Sequence, residues 1–162
     1  MKGSNHNFYF DTFQSPLGTL YMLFSGNVLS EISFEPFNHP CPKGKAPESF
    51  IKQLKGYFNG KLREFNHPVV FLKGTDFEKK VWLSIRKIPY GETRTYKWVA
   101  EKTGRPSASR AAGQALGRNP IPIVIPCHRV IASDGSLCGY SEGIDIKRRL
   151  LDLEYYASQS NI

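Results

Sequence analysis

A chain of 162 residues, 40% of them hydrophobic, can bury a core without covalent staples, and its three cysteines, odd in number and lacking close metal-ligand spacing, exclude a disulfide framework or a zinc ribbon. No apolar run approaches the roughly 18 residues of a membrane span, and "MKGSNHNFYF" lacks a signal-peptide core, so a cytoplasmic chain (nuclear in a eukaryote) with no membrane partner is expected. The net charge of +8 is concentrated between Lys79 and Arg118, where ten basic residues face only Glu92 and Glu101; such a segment is either a solvated face or a phosphate-binding one.

Residues 8 to 34 predict three antiparallel strands, short aromatic and β-branched runs broken at Ser15-Pro16-Leu17-Gly18 and at Ser25-Gly26-Asn27. A loop, "FNHPCPKGKAPES", leads to "FIKQLKGYF", where Phe50, Leu54, Tyr57 and Phe58 form one helical face that stops at Asn59-Gly60. "HPVVFL" is expected to rejoin the sheet as a further strand. The pattern then turns helical, which sets domains at 1–74 and 75–162. "DFEKKVWLSIRKI" predicts a helix capped by Asp76, with Phe77, Val81, Ile85 and Ile88 inward.

"TRTYKWVAEKTGRPSASRAAGQALGRN" divides at Thr103-Gly104-Arg105-Pro106 into two short helices, the second with Ser107 as its expected N-cap. A helix-turn-helix inside the basic segment suggests DNA binding. On the second helix Ala108, Ala111, Ala112, Ala115 and Leu116 would pack inward, leaving Arg110, Gly113, Gln114 and Gly117 outside. That face lacks the long side chains a major-groove reading helix offers to base edges. Small residues permit close approach to a minor groove, and Arg110 in the first turn is placed to enter the base stack; the alternative is plain helix packing with a solvated Arg110.

In "GRNPIPIVIPCHRVI", Pro120, Pro122 and Pro126 fix φ and remove donors, so the stretch is expected to be non-helical and stiff. It delivers Cys127 and His128 together. Adjacent side chains of an extended chain point apart, so a turn or a water must connect thiol and imidazole. In "GIDIKRRLLDLEYYA" a helix carries Ile146, Leu150, Leu151 and Leu153 inward, with Glu154 at the border of that face. A carboxylate there needs a cation or donor. His128 is an apt partner: a carboxylate on one ring nitrogen fixes the tautomer and frees the other to take a thiol proton, giving a thiolate near neutral pH. An exposed helix-end carboxylate is the alternative. A cysteine hydrolase could use the same three residues, but would have no need of Arg110.

At "IPIVIPCHRVI" the chain resembles the O6-alkylguanine-DNA alkyltransferases, also called methylated-DNA–protein-cysteine methyltransferases. The resemblance extends over "SPLGTLYM", "LSEISF", "FEKKVWLSIRKIPYGETRTY", "SRAAGQALGRNP" and "GYSEGIDIKRRLLDLE". It implies a ribonuclease H-like α/β domain over 1–74, made of a small antiparallel sheet with a helix, and a mainly helical, winged-helix-like DNA-binding and alkyl-acceptor domain over 75–162. It further implies single, irreversible SN2 transfer of an alkyl group from a flipped O6-alkylguanine to Cys127, with O4-alkylthymine as a further candidate substrate. His128 would deprotonate Cys127 through a water, Glu154 orient His128, Asn119 brace the turn, and Tyr96 donate a proton to the leaving guanine. Tyr140, Ser141 and Val130 would line the pocket. Arg110 would fill the gap left by the base, with Ala108, Ala111, Gly113, Gln114 and Ser133 against the minor groove of double-stranded DNA. A monomer without cofactor is implied. Relatives of this type that lack the acceptor thiol only recognise alkylated DNA; Cys127 argues against that reading. The chain departs from the usual pocket loop in having Glu142 where glycine is common. Cys138, just before that loop, is read as structural. Some family members bind zinc, yet His39, Cys41 and His67, the only conceivable ligands here, have no ligand pattern around them, and no metal is expected.

Overall fold

The computed structural model describes residues 7 to 160, which fall in two compact units divided between Leu72 and Lys73. In the first, β1 (Phe8–Ser15), β2 (Gly18–Ser25) and β3 (Val28–Ser33) form an antiparallel meander in chain order. Alternation would bury every second residue of β2. A register shift between Leu23 and Phe24 lets both turn inward with Leu20 and Met22, while the extra residue on β3, Ser30, bonds to the Leu23 carbonyl at 3.1 Å.

Helix α1 (Glu48–Phe58) presses Phe50, Leu54 and Tyr57 into this core, each fully buried, as its apolar spacing predicts. Phe50 meets Phe24 edge-on at 5.9 Å. The expected strand at "HPVVFL" is a single bridge, Leu29 to Val69, because Pro68 has no N–H to continue a ladder; its carbonyl accepts from Leu29 instead. His67 is buried against Phe50 and hydrogen-bonds the Asn27 carbonyl at 2.7 Å, and burial holds its pKa below the usual histidine value.

In the second unit, α2 (Asp76–Ile85) starts one residue earlier than expected, with Thr75 as the N-cap. Thr75 Oγ1 accepts from the Glu78 N–H, and Glu78 answers by accepting from the Thr75 N–H, a reciprocal arrangement that Asp76 does not make. Phe77 is only half-buried; Glu78, Val81, Trp82 and Ile85 form the inner face. The Trp82 indole N–H donates to the Ala115 carbonyl at 2.8 Å, and Arg118 reaches back to Glu78 at 3.0 Å, so the C-terminal end of the fourth helix is tied to α2.

Strand β4 (Arg94–Thr95) runs straight into α3 (Tyr96–Lys102), whose N-cap Thr95 accepts from the Trp98 N–H. Helix α4 (Ser109–Gly117) follows the turn, one residue later than Ser107 would have placed it, with Ala108 at the cap position and no capping side chain. Strand β5 (Val130–Ile131) pairs in parallel with β4, and α5 (Ile144–Gln159) closes the unit. That two-residue pairing has no periodicity to announce it, yet it places the start of α3 beside the segment that carries Cys127. Among the described residues no helix is long and apolar enough to cross a membrane.

Replacing the α2 cap tests this arrangement. Thr75→Ala is expected to cost about 1 kcal/mol in urea unfolding followed by tryptophan fluorescence, and Thr75→Ser close to nothing.

Candidate active site

Between Asn119 and Pro126 the chain is a succession of turns, not the extended rail expected from three prolines. Ile125 N–H returns to the Ile121 carbonyl at 2.9 Å, and Cys127 N–H to that of Ile125 at 2.8 Å. Ile123 adopts φ 76, a region that β-branched residues rarely occupy. Its buried neighbours Ile121 and Ile125 hold it there. Asn119 braces the turns from inside: its Oδ1 accepts from Ile121 N–H at 2.9 Å, and its Nδ2 donates to the Ile125 carbonyl at 2.8 Å and to Cys127 Sγ at 3.1 Å.

Residues Cys127–Arg129 then form one turn of 3-10 helix, so the turn that thiol and imidazole required is present. Cys127 is buried. Burial pushes its thiol up, against the pull of Asn119, the Tyr140 hydroxyl and the Lys147 ammonium, while the Glu142 charge pushes it further up. The resting group is therefore a thiol; the thiolate expected at neutral pH must be made when a base removes its proton.

His128 is fully buried, and its Nε2 meets Glu154 Oε2 at 2.6 Å. Burial holds His128 neutral, below its ordinary value, despite the carboxylate. A carboxylate only accepts, so Nε2 carries the hydrogen and Nδ1 is the bare basic nitrogen, with no hydrogen-bond partner among the described residues. Glu154, 1% exposed, accepts more than His128 offers. Arg129 binds it with two nitrogens, Nε to Oε1 at 2.8 Å and Nη2 to Oε2 at 3.0 Å, and the Gly91 N–H adds 3.2 Å to Oε1. Burial alone would raise the Glu154 carboxyl; His128 and Arg129 outweigh it and hold the group well below the usual carboxylate range.

Sequence reasoning missed Arg129 and Lys147. The buried carboxylate signalled a need for a cation, and His128 was taken to meet it. On α5 the inward line is Lys147, Leu150 and Glu154, while Ile146, Leu151 and Leu153 are half-buried, contrary to the apolar face expected. Lys147 Nζ donates to the carbonyls of Val130 at 2.7 Å and Leu137 at 2.6 Å, with Gly139 at 3.4 Å. A charged end at each side of one leucine was the available signal.

A cavity of about 500 Å³ is walled by Gly113, Leu116 and Gly117 of α4, the loop residues Gly139, Tyr140 and Ser141, Tyr96, Lys147 and Cys127. The Tyr96 ring lies over Gly113, where an added Cβ would stand 3.7 Å from it. Its hydroxyl pKa is raised by burial, then by Cys138 and Cys127. Val130, expected in the pocket, is fully buried outside this wall and contributes only its carbonyl to Lys147. On α4, Ala112, Ala115 and Leu116 are buried, Ala108, Ala111 and Gly113 half-buried, and Arg110, Gln114 and Gly117 exposed. Ser133 is exposed in a turn closed by Gly135 N–H on the Ala132 carbonyl at 3.0 Å. No three of His, Cys, Asp and Glu among the described residues converge as a metal-holding group.

Residues 76–156 match the model of the 6-O-methylguanine DNA methyltransferase DNA-binding domain, and residues 8–71 that of its ribonuclease-like domain. A methylated-DNA–protein-cysteine methyltransferase of Mycobacterium tuberculosis is 44% identical over 152 residues, covering 90% of this chain and 92% of that protein. One from Methanosarcina barkeri is 44% identical over 160 residues, covering 90% and 96%. Among solved structures, Mycobacterium tuberculosis OGT in complex with DNA superposes with a TM-score of 0.87 at 42% identity, covering 92% of this chain and 94% of that one.

Removing Arg129 strands a buried carboxylate. Arg129→Ala is expected to cost about 3–5 kcal/mol in urea unfolding at pH 7.5. Without the guanidinium the Glu154 pKa rises, so the variant can relieve the buried charge by taking up a proton, and its deficit against the parent should shrink at pH 4.5. An equal deficit at both pH values would mean that the carboxylate charge is not what Arg129 compensates.

Proposed function

This chain belongs to the 6-O-methylguanine DNA methyltransferase family, and on that premise we propose that Cys127 accepts the alkyl group of O6-alkylguanine in duplex DNA. The observation that carries the reading is a buried thiol in the wall of a cavity, joined by one turn to a neutral histidine that a buried carboxylate orients.

Chemistry begins with the thiol proton. It passes through a water to the bare Nδ1 of His128, and the imidazolium so formed is stabilised by Glu154, which Arg129 holds ionised. The Cys127 sulfur attacks the alkyl carbon from the side opposite O6. The S–C bond forms as the C–O6 bond breaks, and the electron pair enters the guanine ring. The Tyr96 hydroxyl gives its proton to the leaving base, and the proton held on His128 returns to the Tyr96 oxygen through solvent. The product is a thioether, whose S–C bond water does not cleave, so each molecule acts once. In-line displacement needs a fixed sulfur, and Asn119 with the turns before Pro126 provides it.

A stacked guanine cannot present O6 to a buried thiol, so the base must leave the helix. Arg110, exposed in the first turn of α4, takes its place in the stack. Ala108, Ala111, Gly113 and Gln114, with Ser133 from the turn after β5, lie against the minor groove, whose width small residues suit. The basic residues between Lys79 and Arg118 meet phosphates, which makes binding salt-dependent. Tyr140 and Ser141 flank the extruded base.

Intact and peptide mass spectrometry after mixing with a duplex bearing O6-methylguanine should show a single added methyl on the Cys127 peptide, absent from Cys127→Ala. Binding without any mass change would make the chain a damage-recognition protein instead. Arg110→Ala is expected to slow transfer from the duplex roughly tenfold or more, because extrusion costs a few kcal/mol, and to leave transfer from single-stranded substrate nearly unchanged. Equal slowing on both would remove Arg110 from the extrusion step.

A further inference from the structure

Tight turns in which φ is positive at the first central residue alone ordinarily give that place to glycine. Residues Pro122 to Ile125 make such a turn, with Pro122 bridging Ile125; its first central residue is Ile123, at φ 76, and φ of Val124 is not positive. The conformation itself is unfavourable, since a β-branched residue at positive φ is strained. Packing holds it there. Ile123 is 1% exposed, and every residue from 121 to 130 is buried. The side chain thus supplies by burial what glycine would supply by freedom of φ.

From this turn the sulfur is reached by short steps. The Ile125 N–H joins its ends by donating to the Ile121 carbonyl at 2.9 Å. Asn119 grips both ends, accepting from the Ile121 N–H at 2.9 Å and donating to the Ile125 carbonyl at 2.8 Å. That same carbonyl accepts from the Cys127 N–H at 2.8 Å, and the Asn119 nitrogen that reaches it also reaches Cys127 Sγ at 3.1 Å. A return of Ile123 to negative φ would redirect the Ile125 N–H and carbonyl, and with them the contacts that fix the thiol. We propose that Ile123 is a positioning residue for the transfer: its left-handed backbone, held by the burial of its own side chain, sets the direction of the Cys127 sulfur. The proposal rests on the alkyl-transfer reading above and concerns the alignment of the attacking atom, not the proton relay.

Alanine and glycine separate the turn from the volume of the side chain. Both remove the packing and glycine leaves the larger void, but only glycine takes φ 76 without strain. A residue that merely fills space tolerates glycine worst; one that sets the turn tolerates alanine worst. The test is single-turnover methyl transfer from a duplex bearing O6-methylguanine, at a temperature where circular dichroism shows the variants folded. Rates are measured against duplex concentration, so that the saturating rate and the half-saturating concentration are read apart. Ile123→Ala is expected to lower the saturating rate about tenfold or more, as a misdirected sulfur requires, with the half-saturating concentration near that of the parent. Ile123→Gly is expected to stay within about threefold of the parent in both. A saturating rate for Ile123→Gly equal to or below that of Ile123→Ala overturns the proposal, since lost volume would then be responsible. An unchanged rate in both variants, or a change confined to the half-saturating concentration, overturns it as well. Where Ile123→Ala does not fold, Ile123→Gly decides alone: retention within about threefold places the requirement on φ and supports the proposal, and a larger loss overturns it. These outcomes leave alkyl transfer standing, whereas absence of methyl transfer from the parent chain overturns that reading and this inference together.

Discussion

Glu154 is a carboxylate with 1% of its surface exposed, and the second unit is organised around keeping it ionised. Taking such a group out of water costs several kcal/mol unless its lone pairs are filled. Here they are filled by both Arg129 nitrogens, the His128 ring and the Gly91 N–H. Arg129 is itself fixed by donating through Nη1 to the Ile88 carbonyl at 2.7 Å, just beyond α2. One anion thus ties together the end of α5, the turn that bears the thiol and the segment after α2. Because it accepts and cannot donate, it also decides which nitrogen of His128 carries hydrogen.

Lys147 performs the complementary task about two turns earlier on the same inward face of α5. Its ammonium gathers the carbonyls of Val130, Leu137 and Gly139, and so draws the pocket loop toward β5 and the turn that bears Cys127. Leu150 separates the two charges along α5. A cation on one side and a cation-bound anion on the other leave the thiol in a setting where burial keeps it protonated at rest. Reactivity then depends on a base with the right tautomer taking the thiol proton.

Much of this was legible in the sequence where chemistry leaves periodic marks. The strand breaks at Ser15 to Gly18 and Ser25 to Asn27, and the helix face of Phe50, Leu54 and Tyr57, stand as their patterns predict. The pairing of Glu154 with His128 was one of two readings open to the sequence, the other being an exposed helix-end carboxylate, and the 2.6 Å contact between their buried side chains decides between them. The partners of Glu154 were underestimated because His128 alone is a sufficient answer on paper. Nothing in the sequence marks Arg129 as buried, and only the folded chain turns it inward. The two-residue pairing of β4 with β5 is too short for any alternation, and the N-terminus of α2 shifted because Thr75 has a reciprocal partner in Glu78 that Asp76 lacks. The prolines before Cys127 suggested an extended rail; buried neighbours instead bend it into turns, at the expense of an unfavourable φ at Ile123.

The central claim is that a buried carboxylate presents His128 as a neutral imidazole with Nδ1 free to receive the Cys127 proton. Nitrogen-15 NMR of the histidine rings, assigned through a His128→Gln variant, tests it directly. The account predicts a protonated Nε2 and an unprotonated Nδ1 at pH 7, persisting as the pH falls through the ordinary histidine range. A doubly protonated ring at pH 7, or hydrogen on Nδ1 with Nε2 bare, would contradict it.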